Sequence, residues 1–246
     1  MATSREIAEA RRLPRPEHHH RDIQGGAARA AIFGVSDGLV SNVSLILAMA
    51  GAASTRPAIV RLAGLAGLIA GAVSMAAGEY VSMKAQRELF ERELDMERRE
   101  IRRRPFVEQV ELADIYEARG VSSDTAMQLA GEMMRDPDLA LETHAREELG
   151  IDPSSLGSPL RAALSSFVTF AVGALVPLMP WFFSSGATAT VASLVLAALA
   201  AVGVGCLLAR FTGRSRSYTA SRQLAFAMVP AGITYAIGTA IGVGVV

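Results

Sequence analysis

Acidic residues stop at Asp152: all 24 lie at or before that position, and the rest of this 246-residue chain carries none. Residues 162–209 hold no charge of either sign, and residues 224–246 form a second uncharged run. An apolar stretch of about 18 residues or more is long enough to cross a bilayer as a helix. A chain patterned this way belongs in a membrane, which excludes a soluble enzyme, a disordered chain and a nucleic-acid-binding domain. The net charge of zero hides two regions of opposite character. The single Cys206 sits in an apolar run, so neither a disulfide framework nor a cysteine metal site is available. Residues 1–26 are polar, with Arg11, Arg12, Arg15 and His18-His19-His20 where a signal peptide needs its apolar core; no cleavable signal is expected.

The fold class expected is an all-α membrane protein with five transmembrane helices. The first two spans cover residues 27–52 and 58–83, joined by a short Ser-Thr-Arg-Pro link. Residues 162–209 hold two more, folded back between Pro177 and Gly186, where Trp181 suits the membrane interface. The fifth runs over 224–246. Each has roughly 20 residues or more, enough for about 30 Å of hydrocarbon, and no alternating short strands of a β-barrel occur. Arg11, Arg12, Arg15 and Arg21 precede the first span, and Arg210, Arg214, Arg216 and Arg222 join the fourth to the fifth. The link between spans one and two has only Arg56 and Arg61, and that between three and four has none. The positive-inside rule then puts the N-terminus and both longer loops in the cytoplasm, with the C-terminus outside. The divisions expected are a cytoplasmic tail (1–26), helices one and two (27–83), a charged cytoplasmic helical insert (84–158) and helices three to five (159–246). No breaker follows Gly78 until Pro105, so the second span should continue into the cytoplasm as one helix. Shorter helices are expected over 106–119, from Ser122 to near Pro137, and over 138–149.

Three groups of residues carry chemistry. Asp37 lies in the middle of span one, where a carboxylate is costly unless protonated, paired or bound to a cation. Gly34 and Gly38 beside it would let another helix approach closely, and Ser36, Ser41, Asn42 and Ser44 add oxygen atoms nearby. The alternative is a neutral Asp37 holding helices together by a hydrogen bond. In span two, Met75, Glu79 and Met83 recur at i, i+4 and i+8, one helical stripe. Methionines usually fill core space, but a thioether also ligates the softer transition metals. With Glu79 between them and Asp37 facing them, a cation path is the favoured reading. In the insert, Glu97 with Glu100 and Glu108 with Glu111 are i,i+3 pairs on either side of Pro105. Converging carboxylates need cations, and His144 with Glu148 could complete a metal site; an ordinary solvated face with i,i+4 ion pairs is the alternative. The His18–His20 triplet is accessory at most.

Several of these segments together resemble the vacuolar iron transporter family: Arg21-Asp-Ile-Gln-Gly-Gly26, Ser36-Asp-Gly-Leu-Val-Ser41, the run from Gly71 to Ser82, Pro159-Leu160 and Gly173-Ala-Leu-Val-Pro-Leu178. The motifs stand in the family's order from about residue 21 onward. The resemblance implies a five-helix protomer in a homodimer, with the path between protomers, moving divalent iron, and in some members manganese, out of the cytosol in exchange for protons. It implies that Asp37 is the membrane carboxylate and that Met83, eight residues after Met75, lies in the path-lining segment. Glu97, Glu100, Glu108 and Glu111 reproduce the three, eight, three spacing of the family's cytoplasmic metal-binding glutamates, and Glu148 matches a further one. Where the plant member has two adjacent methionines, this sequence has His144 and Ala145, which leaves metal preference open because imidazole suits iron, zinc and nickel alike.

The function expected is therefore a secondary transporter of Fe²⁺, with Mn²⁺ as a second cargo. No prosthetic group, no nucleic-acid partner and a bacterial inner membrane are expected with it. A membrane-bound di-iron carboxylate oxidase is an alternative, but such sites favour Glu-x-x-His pairs, and three residues after Glu97, Glu108 and Glu142 come Glu100, Glu111 and Ala145. A metal sensor using the insert is a third class. Gly67/Gly71 and Gly238/Gly242 suit helix contacts without showing a dimer.

Overall fold

The computed structural model describes residues 26–53 and 56–243. The N-terminal arginines and the His18–His20 triplet lie outside the described residues. Among the described residues eight α-helices follow in order: α1 (Ala27–Ala53), α2 (Pro57–Arg103), α3 (Pro105–Ala118), α4 (Ser123–Met133), α5 (Pro137–Glu147), α6 (Pro159–Leu178), α7 (Gly186–Thr212) and α8 (Arg216–Val243), with single 3-10 turns at Pro153–Ser155 and Met179–Phe182. Among the described residues there is no strand, and five helices (α1, α2, α6, α7 and α8) are long and apolar enough to cross a membrane.

Proline and glycine set most of the boundaries. Proline occupies the first position of α2, α3, α5 and α6, where its missing N–H would have had no partner anyway. The stop of α2 has the same origin. Pro105 pushes Arg104 out of the helical region (φ −139°, ψ 52°) and so turns the chain back after 47 residues. Side chains finish the caps: the Asp136 carboxylate accepts from the Asp138 N–H at 2.9 Å, and Ser158 Oγ from the Arg161 N–H at 3.4 Å. Gly213, at φ +67°, closes α7 in the left-handed conformation that glycine adopts without a steric penalty.

The bundle is organised around α1, which packs against α6 and α8 most extensively and also touches α2 and α7. Glycine makes the α1–α6 contact possible. A Cβ on Gly38 would run into the Phe170 carbonyl, and one on Gly173 into the Val35 carbonyl, so the two backbones touch directly. Gly238 and Gly242 serve the α8 side, facing the backbone of Ala48 and Ala52. Both small-residue motifs on these helices are thus used inside the protomer. Behind them, Leu39, Val43 and Leu47 of α1 join Ala197, Ala201, Ala227 and Ala231 in a buried apolar core. The most apolar stretches of α1 and α6 are 44 % buried, but those of α2 and α8 only 17 %, so these two helices turn large apolar faces outward.

One helix runs longer than its expected span, and one expectation needs correction. The fifth membrane helix begins at Arg216, well before the uncharged run at 224, because a helix does not have to stop where the hydrocarbon does. Trp181 is not displayed to the membrane interface. The 3-10 turn folds it inward, where it is 1 % exposed beside Ile46, Ala50, Val60 and Leu178, while the neighbouring Phe183 is 82 % exposed.

The packing can be tested directly. Gly38→Val should cost about 3 kcal/mol, because the clash is with backbone and cannot be relieved by a rotamer. Gly203→Ala, with no atom within 4 Å of the new Cβ, should leave stability unchanged. Thermal unfolding of both variants in detergent checks this, and equal melting temperatures would refute the close-approach account.

Candidate metal centre and membrane cleft

Two clusters of potential ligands lie along the single helix α2. Its membrane part carries Met75 and Glu79. Glu97 stands about 21 Å beyond Met83 at a rise of about 1.5 Å per residue, in the part of the helix that has left the membrane. The surface of that stalk is ordinary: Lys84–Glu88, Arg87–Glu91 and Asp95–Arg98 are exposed local ion pairs. Glu97 is the exception.

The reversal at Pro105 lays α3 beside the end of α2, and α5 closes over both. This brings together Glu97 of α2, Glu108 in the first turn of α3 and His144 of α5, with ligand atoms within 4.8 Å of one another. They are 4 %, 6 % and 0 % exposed. His144 Nδ1 lies 3.2 Å from Glu97 Oε1 and 3.5 Å from Glu148 Oε2. The angles are nevertheless wrong for hydrogen bonding: Glu97 Oε1 and both imidazole nitrogens have no hydrogen-bond partner. Buried polar atoms are normally satisfied, and leaving three of them unpartnered at one spot is costly. Beneath the cluster an apolar layer of Leu94, Ile101, Ala140, Leu141 and Ala145, with Met134 and Leu156 against it, keeps water away. An ion pair between Arg119 and Glu147 ties the end of α3 to α5.

Glu100 and Glu111 do not enter the buried triad; both are exposed, and Glu148 stands at its rim. Their charges still reach it. Burial pushes the Glu97 carboxyl up to about 7, helped by Glu148, Glu108, Glu100 and Glu111 in that order. Burial also raises Glu108, helped by Glu111, Glu100 and Glu148 and opposed by Arg104. The five carboxylates of the expected site are therefore one electrostatic unit, with Glu97 and Glu108 beside His144 at its centre and three around them. Carboxylate oxygen and imidazole nitrogen form a donor set that suits first-row divalent metals. Its excess negative charge is what a dication would neutralise.

In the membrane, Asp37, Met75 and Glu79 line one cleft of about 460 Å³ between α1, α2 and α6, together with Ser41, Asn42 and Phe170. Asp37 is half-buried, and among the described residues no side chain donates to its carboxylate or pairs with it; the Ser41 hydroxyl donates instead to the Asp37 backbone carbonyl, at 2.5 Å. Glu79 is different. Its Oε1 accepts from Arg29 of α1 at 2.7 Å, the one ion pair among the described residues that joins two membrane helices. Met83 does not line this cleft. It is buried against Ala30 and Ala162 and borders a separate groove of about 270 Å³ toward the insert. The reason is geometric: residues four apart drift by about 40° per step around a helix of 3.6 residues per turn, so the third member of the stripe has turned away.

The sequence matches the model of the VIT family over residues 28–239. Among named proteins it is similar to vacuolar iron transporter 1 of Oryza sativa subsp. japonica, 32 % identical over 212 residues that cover 85 % of this chain and 83 % of the relative. It is also similar to the vacuolar iron transporter of Acanthamoeba castellanii, 37 % identical over 192 residues, 75 % of this chain and 69 % of that protein. Vacuolar iron transporter 2 of the same rice is 34 % identical over 219 residues, 88 % of each chain.

The raised Glu97 carboxyl has a measurable sign. Its ordinary value is 4.5 and its folded value about 7, so the folded chain binds the extra proton between those limits. The contribution to stability is present below pH about 4.5 and is lost as pH rises through about 7. Metal-stripped protein should therefore melt at a lower temperature at pH 7.5 than at pH 5.5, and Glu97→Gln should flatten that difference. Wild type and variant with the same pH dependence would show that Glu97 is not the group responsible.

Proposed function

The chain belongs to the VIT family, and we propose that it carries divalent iron, with manganese as a second cargo, out of the cytosol in exchange for protons. It is an integral membrane metal transporter and not an enzyme, which sets aside the carboxylate-oxidase reading. The observation that carries the proposal is the buried triad of Glu97, Glu108 and His144, with its unpartnered atoms, one member of which (Glu97) stands on the same uninterrupted helix that lines the Asp37 cleft.

The order of events follows from charge. The insert, rich in carboxylates, gathers dilute metal from the cytosol at Glu97, Glu108 and His144, with Glu100, Glu111 and Glu148 drawing the ion in. In the membrane Glu79 already holds a cation, the Arg29 guanidinium, so the acid left for the metal is Asp37, with the Met75 thioether facing the same cleft. A thioether favours the softer first-row ions over Mg²⁺ or Ca²⁺. Protons arriving from the other side then compete for the Asp37 carboxylate and release the metal. We place the protein in a bacterial inner membrane as a homodimer, N-terminus in the cytoplasm and C-terminus outside. The arginine distribution supports the orientation. The outward apolar face of α2, and an Asp37 cleft opening beside the exposed Phe33, support a second copy against this side.

Purified protein in sealed liposomes with an acidic lumen should take up Fe²⁺ saturably and exclude Mg²⁺, and the lumen should become more alkaline as metal enters. Asp37→Ala should lower that flux by about tenfold or more, whereas His144→Ala should raise the half-saturating Fe²⁺ concentration and spare the maximal rate. Full flux in Asp37→Ala would remove the carboxylate from the mechanism. Flux without luminal alkalinisation would remove the proton.

A further inference from the structure

At the end of the Asp37 cleft away from Glu79, α1 contributes Asn42. Its side chain is 2 % exposed and lines the cleft with Asp37, Ser41 and Met75. The amide nitrogen donates to the Ala174 carbonyl of α6 at 2.6 Å. That partner fixes the orientation of the amide, because a backbone carbonyl only accepts and the nitrogen must face it. The amide oxygen therefore points the other way, toward α2, and it has no hydrogen-bond partner. Opposite it stands Gly67, which also lines the cleft; a Cβ there would lie 2.9 Å from Asn42 Oδ1. The absence of a side chain at Gly67 is what makes room for the oxygen at this spot.

An acceptor held rigidly, stripped of water and given no donor is what a cation ligand requires and what a structural amide avoids. Its surroundings agree. The Ser41 hydroxyl spends its proton on the Asp37 backbone carbonyl, which leaves that oxygen only lone pairs to offer, and no side chain among the described residues neutralises the Asp37 carboxylate. We propose that the Asn42 side-chain carbonyl is a metal ligand at the closed end of the cleft, replacing a water that a divalent first-row cation sheds after it reaches Asp37. This rests on the reading of Asp37 as the membrane site and extends it from one charged ligand to a set of neutral oxygens with one thioether. Such a set holds a dication by coordination, with only one compensating charge, and so holds it loosely enough to let it go.

The test uses Co²⁺ titrated into the full-length protein in detergent, with Glu97→Gln, Glu108→Gln and His144→Ala introduced together so that the insert no longer competes. Binding that is abolished by Asp37→Ala and weakened about tenfold or more by Asn42→Leu, with the metal-free melting temperature lowered only by the lost Ala174 hydrogen bond, is the result expected. Asn42→Asp supplies an arm that misfolding cannot imitate, since a second carboxylate should tighten Co²⁺ binding. Binding lost in Asp37→Ala but unaltered in both Asn42 variants would overturn the assignment and leave Asn42 as a pin between α1 and α6. An unaltered affinity with a lowered melting temperature would say the same. Binding that survives Asp37→Ala would overturn the cleft as a metal site, and the transport reading of Asp37 with it.

Discussion

Hydrocarbon accepts a polar backbone only inside helices and a charge only with compensation, and most of this architecture follows from meeting that constraint in a chain with two dozen acids. All but two of the described acids are kept out of the membrane helices' apolar stretches and gathered in the insert and its stalk. Of the two that remain inside, Glu79 is neutralised by Arg29 across the α1–α2 contact. Asp37 has no such partner and faces a cleft. Placing it there requires α1 to be the central helix, and α1 can be central only because Gly34, Gly38 and Gly173 let α6 close against it backbone to backbone. Among the described residues, the membrane carboxylate without a partner and the backbone-to-backbone contact with α6 thus belong to the same turn of the same helix.

Much of this is written plainly in the sequence. Span number follows from uncharged length, and the long stalk of α2 from the absence of any breaker between Gly78 and Pro105. Legibility fails where two helices decide a residue's fate together. Glu97 and Glu100 look equivalent at i,i+3, as do Glu108 and Glu111, but the turn at Pro105 buries one of each pair and leaves the other in solvent. His144 reads as half of a surface pair until the α2–α3 hairpin covers it. Nothing in the spacing of Met133-Met134 marks it, but Met134 packs on the apolar layer of the insert and Met133 Sδ accepts from Thr143 at 3.7 Å. Met83 keeps the spacing of the stripe but borders a separate groove, and Asn42 is one polar residue among several until α6 takes its amide nitrogen.

The two ligand clusters are built on opposite principles, and their difference gives the proposed transport a direction. In the insert, five carboxylates around one imidazole accumulate negative charge in a partly dry site, raising the proton affinity of Glu97 and with it the attraction for a dication. In the cleft, one uncompensated carboxylate is surrounded by neutral donors. The first arrangement favours capture from dilute solution, and the second favours passage. A single design could not serve both ends, since a site charged like the insert would trap its ion in the membrane.

The length of α2 couples these sites mechanically. Met75 and Glu97 are separated by about 33 Å of one helix at a rise of about 1.5 Å per residue. A rocking of the membrane half by roughly 10°, of the kind carriers use to expose a site alternately, swings the Glu97 end through about 6 Å. That arc exceeds the 4.8 Å within which the triad's ligand atoms lie. The insert must therefore either travel with the stalk as a rigid cap or come apart at each stroke, so the filling of the outer site and the posture of the membrane helices are read from a single beam.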